Sequence, residues 1–243
     1  MQYNKINSIW KRCFTEKDAE TGEIRFLDKG KSGNPLIAGD YAEPAFGNIK
    51  YWRVDEKIDG MNIRVTCGWN NPFFLSVNPK ANLEFHLEFG GRTDAAVFPP
   101  GMQETLQTLF TREKLEAVFS GSRPKKVIFY GEGYGPKIQQ GGYYARTIGF
   151  VLFDIWIDGW WLERDNVKGI AASMGLEMVP EIGIMREEDI VEYVRGQPMS
   201  IFAKVEPHVM EGVVCRPEPL MLFRNGKQII WKLKCKDIPS CAA

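Results

Sequence analysis

The sequence is short of the residues from which many metal and disulfide sites are built. It has two histidines, His86 and His208, and five scattered cysteines without a Cys-x-x-Cys pair. Neither histidine has a cysteine at zinc-ligand spacing, which argues against a zinc site. An odd number of scattered cysteines indicates reduced thiols. We therefore expect a cytoplasmic protein whose function depends on neither zinc nor disulfides.

Long apolar runs and a net charge are also missing. No stretch approaches the roughly eighteen apolar residues of a membrane span. Residues 1–5 lack the apolar segment of a secretory signal, so we expect no membrane partner. The 31 Lys and Arg residues balance the 31 Asp and Glu residues, which gives a net charge of zero. Binding to a polyanion must then depend on a local basic surface rather than on a global field.

What is present is enough apolar sequence for a core, arranged in short segments. With 243 residues, 44% of them apolar, the chain has the size of one large or two small domains. Strand patterns occur at 51–54, 63–67, 73–77, 83–89, 127–130, 150–157, 177–180, 211–216 and 228–234. Helical spacing occurs at 6–14, 95–119, 163–174 and 187–195. This order predicts an α+β fold with a largely antiparallel sheet, in which the apolar run 150–157 is a central strand. Residues 1–50 are expected to form a cover on the domain of residues 51–243.

A lysine between two carboxylates, in Glu56-Lys57-Ile58-Asp59, lies between the first two of these strands. Because Gly60 follows at once, we expect a strand-turn-strand that presents Lys57 at a pocket wall. A lysine with an ordinary pKa of about 10.4 is protonated at neutral pH, so a nucleophilic lysine needs desolvation or nearby positive charge. Taken alone, Lys-x-Asp-Gly is also typical of an exposed hairpin turn.

The cations needed beside such a lysine are available near the end of the chain. Lys232 and Lys234 are two residues apart in a strand pattern, so their side chains project from the same face. Two cations on one face require an anion. Glu211, at the start of another strand, is typical either of a metal or substrate contact or of a solvated strand end. A phosphate site that also holds a divalent cation would use both kinds of charge.

Five short motifs, taken in order, resemble those of the covalent nucleotidyltransferases, the superfamily of polynucleotide ligases and mRNA capping enzymes. They are Lys57-Ile58-Asp59-Gly60, Phe129-Tyr130-Gly131-Glu132-Gly133, Phe150-Val151-Leu152-Phe153-Asp154, Glu211-Gly212-Val213-Val214 and Lys232-Leu233-Lys234. Within the superfamily the chain is most similar to the RNA ligase 2 type of tailed phages, because Glu56 precedes the lysine and Asn62 stands five positions after it. Asp59 departs from that type, which usually has histidine there, and leaves room for a DNA-joining or dual-substrate enzyme.

The resemblance implies a fold and an activity. The fold is an antiparallel-sheet nucleotidyltransferase core, an ATP-grasp-like adenylation domain over residues 51–243, with flanking helices. The activity is joining of a 3′-hydroxyl to a 5′-phosphate through a lysyl-AMP on Lys57 and an adenylated 5′ end, with ATP and Mg²⁺ or Mn²⁺.

The resemblance also implies roles for individual residues. Phe153 would stack on adenine, although an aromatic residue in a central strand is also typical of a core, and Glu211 would act on the metal. The implied catalytic residues are Lys57, Asp59, Asn62, Arg92, Lys232 and Lys234. The implied ATP contacts are Glu56, Lys57, Ile58, Arg92, Glu132, Phe153, Glu211, Lys232 and Lys234.

Few residues follow Lys234, so we expect no oligonucleotide-binding-fold domain after the last motif. The core, expected to be monomeric, phage-encoded and active in the host cytoplasm, must then grip nucleic acid itself. The candidate phosphate contacts are Lys11, Arg12, Arg92, Lys125, Lys126, Lys137, Arg146, Arg216 and Arg224. Three alternatives stay open: a minimal DNA ligase that seals nicks, a capping-type guanylyltransferase that uses GTP, and a non-catalytic nucleic-acid-binding protein with this fold.

Overall fold

The secondary structure is a series of short strands with four α-helices among the residues that the computed structural model describes, which are 3–26, 34–69, 84–93 and 95–238. The expected strand at 73–77, Leu83 and Cys241 lie outside these ranges. The strands are β1 (Asn7–Ser8), β2 (Trp10–Arg12), β3 (Thr15–Lys17), β4 (Ile24–Phe26), β5 (Leu36–Tyr41), β6 (Trp52–Glu56), β7 (Met61–Trp69), β8 (Phe85–Gly91), β9 (Val127–Tyr134), β10 (Gly149–Ile157), β11 (Trp160–Trp161), β12 (Glu181–Met185), β13 (Gly212–Pro217) and β14 (Trp231–Lys234). The helices are α1 (Met102–Leu109), α2 (Arg112–Phe119), α3 (Arg164–Met174) and α4 (Glu187–Arg195).

The described residues form two compact units. Unit 1 takes its residues from Met1–Asn4, Ile58–Pro180 and Phe202–His208, and unit 2 takes its residues from Lys5–Lys57, Glu181–Ile201 and Val209–Ala243. The sequence predicts a cover of residues 1–50 on a domain of residues 51–243, and this division stays a prediction. No helix in the described ranges is long and apolar enough to cross a membrane.

Unit 1 is built on an antiparallel sheet with the strand order β11-β10-β9-β7-β8. One face of this sheet is apolar and packs against α1, α2 and α3, whose buried residues include Leu106, Leu115 and Val167. The opposite face carries the alternate residues of the same strands. Because side chains alternate along a strand, polar residues on this face are not covered by the helices.

Unit 2 is built on a second sheet with the order β1-β14-β13-β6-β12. Its strands pair antiparallel except for β1, which runs parallel to β14. One face is closed by α4 and by two fully buried tryptophans, Trp52 and Trp231, whose rings meet edge to face at 5.2 Å. The other face is free for charged side chains, and two two-stranded ribbons, β2-β5 and β3-β4, complete the unit.

Most of the pattern-based expectations are confirmed, and the antiparallel α+β fold is among them. The segment 95–119 contains the two helices α1 and α2, and α3 is followed by Gly175, which has the left-handed φ of 68° expected of a helix terminator. The strand expected before Lys57, β6, and the strand expected to carry Lys232 and Lys234, β14, are both present.

Four local expectations are wrong. Residues 6–14 form β1 and β2 rather than a helix, because strand pairing and burial of Ile9 and Trp10 in unit 2 satisfy the same apolar spacing. Residues 177–180 make a single bridge, from Met178 to Leu152, rather than a strand. Strand β10 lies next to the two-residue β11 rather than at the centre of its sheet. Strands β6 and β7 belong to different sheets, so residues 57–60 are not a hairpin turn.

The pairing of β13 with β14 generates a stability prediction at Gly212. This residue has a φ of 149°, and a Cβ atom built on it would lie 2.1 Å from the Leu233 carbonyl oxygen. We expect Gly212→Ala to lower the free energy of unfolding by about 2–6 kcal/mol, since backbone strain and overpacking each cost ~1–3 kcal/mol. Urea unfolding measures this difference.

Gly183 supplies the matched control in the same sheet. Its φ is 154°, but a Cβ atom there would meet nothing within 4 Å. Gly183→Ala should therefore show only the strain component of about 1–3 kcal/mol. Equal losses in the two variants would contradict the steric explanation at Gly212.

Candidate active site

Three lysines lie together on the polar face of the unit 2 sheet. Lys57 follows the last residue of β6, and strand register places Lys232 opposite Val214 and Lys234 opposite Gly212. Because Trp231 and Leu233 are fully buried on the apolar face, the two lysines of β14 must project from the other one. The alternation predicted from the sequence is confirmed.

A single carboxylate holds two of these lysines. Glu211 Oε2 lies 2.5 Å from Lys57 Nζ, and Glu211 Oε1 lies 2.5 Å from Lys234 Nζ. Backbone hydrogen bonds fix the same segment, since the Lys57 N–H donates to the Gly212 carbonyl at 2.9 Å and the Cys235 N–H donates to the Glu211 carbonyl at 3.0 Å. The Glu211 side chain is only 14% exposed, so its alternative as a solvated strand end is wrong.

The electrostatics of this cluster work in opposite directions on the acid and on the third lysine. Burial by itself raises the pKa of Glu211, but the charges and hydrogen bonds of Lys57 and Lys234 outweigh it and hold that pKa below its ordinary value. Burial, followed by repulsion from Lys57 and Lys234, lowers the pKa of Lys232 to about 8. Glu211 offsets part of this effect. Lys232 therefore loses its proton more readily than an ordinary lysine, and this face is well placed to receive an anion.

Glu56, directly before Lys57, has a positioning role that its sequence context did not reveal. Its side chain is 1% exposed and accepts hydrogen bonds from the Ser200 hydroxyl and from the Ile201 N–H, the latter at 2.8 Å. A buried carboxylate needs such donors, because an unpaired one is costly. The residue thus fixes the loop after α4 to the end of β6. No motif spacing pointed to Ser200, which is 144 residues away in the chain.

The remaining predicted residues lie in unit 1, and its register brings two of them side by side. Asn62 of β7 is directly opposite Glu132 of β9, on the face away from the helices. The Asn62 Oδ1 atom is buried and has no hydrogen-bond partner among the described residues. This oxygen is therefore suited to accept a hydrogen bond from a ligand. Gly60 lies close against this pair, since a Cβ atom there would be 2.3 Å from the Gly133 carbonyl oxygen and 2.9 Å from Glu132 Cγ.

Phe153 occupies an irregularity in β10. The register with β9 shifts between Leu152 and Asp154, so Phe153 is the extra residue of a bulge. Its ring is half-buried and meets the Tyr3 ring edge to face at 5.1 Å. The Tyr3 hydroxyl donates to the buried carboxylate of Asp154.

An arginine from α3 fixes the backbone of this bulge. Arg164 donates to the Phe153 carbonyl at 3.2 Å and to the Val179 carbonyl at 3.0 Å. Neither Tyr3 nor Arg164 belongs to a recognisable motif, so sequence reasoning missed both.

Three further predicted residues of unit 1, Ile58, Asp59 and Arg92, differ in their burial and contacts. Ile58 is 3% exposed and packs in a small cluster with Tyr144. The Asp59 N–H donates to the Tyr144 hydroxyl at 3.0 Å, which ties the lysine motif to that cluster. Arg92 directly follows β8 and is exposed.

Two of the proposed phosphate contacts are committed to internal ion pairs. Arg12 pairs with Asp237 at 2.7 Å, and the Arg216 side chain, 9% exposed, pairs with Asp55 at 2.9 Å. Their pairing makes both side chains part of the unit 2 framework rather than of a phosphate-binding surface.

The donor set around Glu211 fits magnesium in one particular way. The described residues contain no group of three or more His, Cys, Asp or Glu side chains that would hold a metal ion by themselves. Magnesium commonly uses one or two carboxylates and completes its shell with substrate phosphates and water. Glu211 could supply such a carboxylate only together with a phosphate ligand.

The comparisons with known proteins match this region. The family model described as RNA ligase matches residues 50–234, more than half of the chain. The chain belongs to the RNA ligase family. A search of curated proteins finds no match.

Among solved structures, two of Naegleria gruberi RNA ligase variants with ATP and manganese are 16% identical to the chain. The first has a TM-score of 0.54 and aligns over 80% of this chain and 54% of its own, and the second has a TM-score of 0.55 and aligns over 79% and 52%. The same ligase with pyrophosphate is 15% identical, with a TM-score of 0.52 and coverage of 87% and 62%. At these identities the match establishes the fold, and this RNA ligase family member spans about half the length of the ligases it matches.

The lysine cluster predicts opposite responses of the Lys232 pKa to two substitutions. Glu211→Gln removes a charge that raises this pKa, so it should fall below about 8. Lys57→Ala removes a charge that lowers it, so it should rise towards the ordinary lysine value. Carbon-13 NMR of reductively methylated lysines, assigned with Lys232→Arg, measures both shifts.

Glu218→Gln is the matched control. It makes the same charge change in unit 2, but Glu218 pairs with Arg53 and not with the lysine cluster. Its Lys232 pKa should equal that of the wild type. A Lys232 that titrates near 10.4 in the wild type would contradict the electrostatic description.

Proposed function

We propose that the chain is an ATP-dependent RNA ligase of the phage RNA ligase 2 type, which joins 3′-hydroxyl and 5′-phosphate ends through a lysyl-AMP on Lys57. The observation that carries the proposal is the Glu211 carboxylate between Lys57 and Lys234, with Lys232 on the same sheet face. A nucleophilic lysine beside two cations on one sheet face is suited to attack on a polyphosphate. Membership in the RNA ligase family supports the same chemistry.

In the first step the Lys57 nitrogen attacks the α-phosphorus of ATP. A P–N bond forms, the bond to pyrophosphate breaks, and the lysine loses a proton to solvent. Lys57 must leave its ion pair with Glu211 to attack, and an incoming triphosphate supplies the anion that Lys234 and Lys232 then pair with. Their charges stabilise the negative charge that develops around the α-phosphate.

Magnesium or manganese would be held by Glu211 together with phosphate oxygens and water. The ion would supply positive charge to the departing pyrophosphate. The residues of the chain carry the other requirements, since Lys57 provides the nucleophile and Glu56 fixes the backbone from which it projects.

The later steps transfer AMP to a 5′-phosphate and then release it as a 3′-hydroxyl attacks the activated end. We assign adenine stacking to Phe153 and the ribose hydroxyls to Glu132. The unpaired Oδ1 of Asn62 and the exposed guanidinium of Arg92 support roles in holding the two ends. Asp59 keeps its place in the lysine motif through its backbone bond to Tyr144.

One sequence feature favours a second candidate, a minimal DNA ligase that seals nicks. Asp59 stands where the phage RNA ligase 2 type usually has histidine, so the preference for RNA over DNA is a separate question from the adenylation chemistry.

We further propose that the enzyme acts as a monomer in the cytoplasm of a phage-infected cell. Its four described cysteines are free, as is expected in a reducing compartment.

The covalent adduct tests the proposal directly. Purified protein is incubated with magnesium and α-labelled ATP, with GTP in parallel, and the modified residue is mapped by mass spectrometry. We expect an AMP adduct on Lys57 and none with GTP, because the resemblance is to ATP-dependent ligases. A GMP adduct would favour the capping-type enzyme instead.

Two variants serve as controls for this experiment. Lys57→Ala should form no adduct yet bind nucleic acid as the wild type does. Lys50→Ala, which removes an exposed lysine before β6, should be adenylated normally. Folded wild-type protein that is free of AMP and forms no adduct with either nucleotide would refute the ligase assignment and favour the non-catalytic nucleic-acid-binding protein.

A further inference from the structure

Unit 2 carries a second cationic surface that the lysine cluster does not use. It is a groove of about 510 Å³ lined by Glu43, Phe223, Arg224, Asn225 and Lys227. We call these five residues the turn groove. Four of the five, all but Glu43, sit on one tight reversal of the chain before β14.

The reversal is held rigid by its own hydrogen bonds. The Phe223 N–H donates to the Lys227 carbonyl at 2.8 Å, and the Gly226 N–H donates to the Phe223 carbonyl at 2.9 Å. The Asn225 side chain accepts from the Lys227 N–H at 3.0 Å. The residues that follow, including Gln228 and Ile229, are each 5% exposed and anchor the turn in unit 2. Arg224 and Lys227 are thus displayed from a fixed support.

The two cations of the groove differ from the ion-paired cations of unit 2. Arg53, Arg216, Lys57 and Lys234 are each paired with carboxylates. Arg224 and Lys227, by contrast, are exposed, and neither forms an ion pair with any described residue. Glu43 contributes the one negative charge of the lining, so the groove carries a net positive charge.

The lining combines two features that a polynucleotide strand needs. Arg and Lys neutralise successive phosphates, and a half-buried aromatic ring, here Phe223, offers a face or an edge to a base. Because the protein has no net charge, attraction to a polyanion must come from a local surface such as this one. The exposed cations also suit a ligand that continues beyond the groove rather than one enclosed by it.

We propose that the turn groove binds the sugar-phosphate backbone of the polynucleotide substrate, with Arg224 and Lys227 on phosphates and Phe223 against a base. The proposal rests on the proposed ligase function for the identity of the ligand. The groove contributes to substrate affinity and not to the reaction of Lys57 with ATP.

The test measures binding of a fluorescent single-stranded RNA of about twenty nucleotides by anisotropy, without ATP, over a range of KCl concentrations. The variants are Arg224→Ala with Lys227→Ala, and the matched control Lys17→Ala with Arg25→Ala. The control makes the same charge change on the exposed β3-β4 ribbon of unit 2. That ribbon is richer in acidic residues than in basic ones from 14 to 26.

Loss of two phosphate contacts should reduce the slope of log K against log salt by about 1.4, since each contact on a single strand contributes ~0.7. The control should keep the wild-type slope and affinity. Unchanged RNA binding in the groove variant would refute the proposal. So would loss of binding to polyglutamate rather than to RNA, which would assign the groove to an acidic protein.

The adduct assay separates this proposal from the ligase assignment. The groove variant should form the Lys57 adenylate at the wild-type rate, because none of its residues belongs to the lysine cluster. Absence of an adenylate in every protein would refute the ligase function, while the salt dependence of RNA binding would still decide the role of the groove.

Discussion

The carboxylate of Glu211 is the constraint on which the charged face of unit 2 depends. Three lysines share that face, and like charges at such spacing repel. Glu211 pairs with two of them, and Lys232 is left with a pKa near 8. The carboxylate is held in turn by the backbone of β13, which pairs with β6 on one side and β14 on the other. Three motifs that lie far apart in the sequence therefore depend on one strand.

Unit 1 positions its residues in a different way, because Asn62 is neutral, Glu132 is acidic, and both lie on a sheet whose other face is covered by helices. Strand register places Asn62 of β7 directly opposite Glu132 of β9. Glycine is required at position 60, since the lysine motif lies against the β9 backbone at a distance that no side chain permits. Geometry here depends on close backbone packing, whereas in unit 2 it depends on ion pairs.

The sequence predicted those features that repeat along one segment. Alternation placed Lys232 and Lys234 on one face, and helical spacing found α3 and its terminator Gly175. It failed where a distant segment decides the outcome. Residues 6–14 have a helical spacing, but pairing with β14 and β5 turns them into strands.

The same reason explains the residues that were missed. Ser200, Tyr3 and Arg164 act through contacts with residues that are distant or unremarkable in the sequence, so neither composition nor spacing marks them. The Asp-Gly pair after Lys57 suggested a hairpin, yet its two flanking strands belong to separate sheets. Motif order, in contrast, indicates the candidate site residues without any knowledge of their contacts.

The bulge at Phe153 has a consequence for how this strand can change. In a regular strand, neighbouring side chains point to opposite faces. The extra residue lets Phe153 and Asp154 both meet Tyr3, so an aromatic surface and its buried anchor occupy adjacent positions. Deleting one residue would restore the regular hydrogen-bond ladder with β9, but Phe153 and Asp154 would then point to opposite faces and could not both contact Tyr3. The irregular pairing is thus a feature that length variation in β10 must preserve.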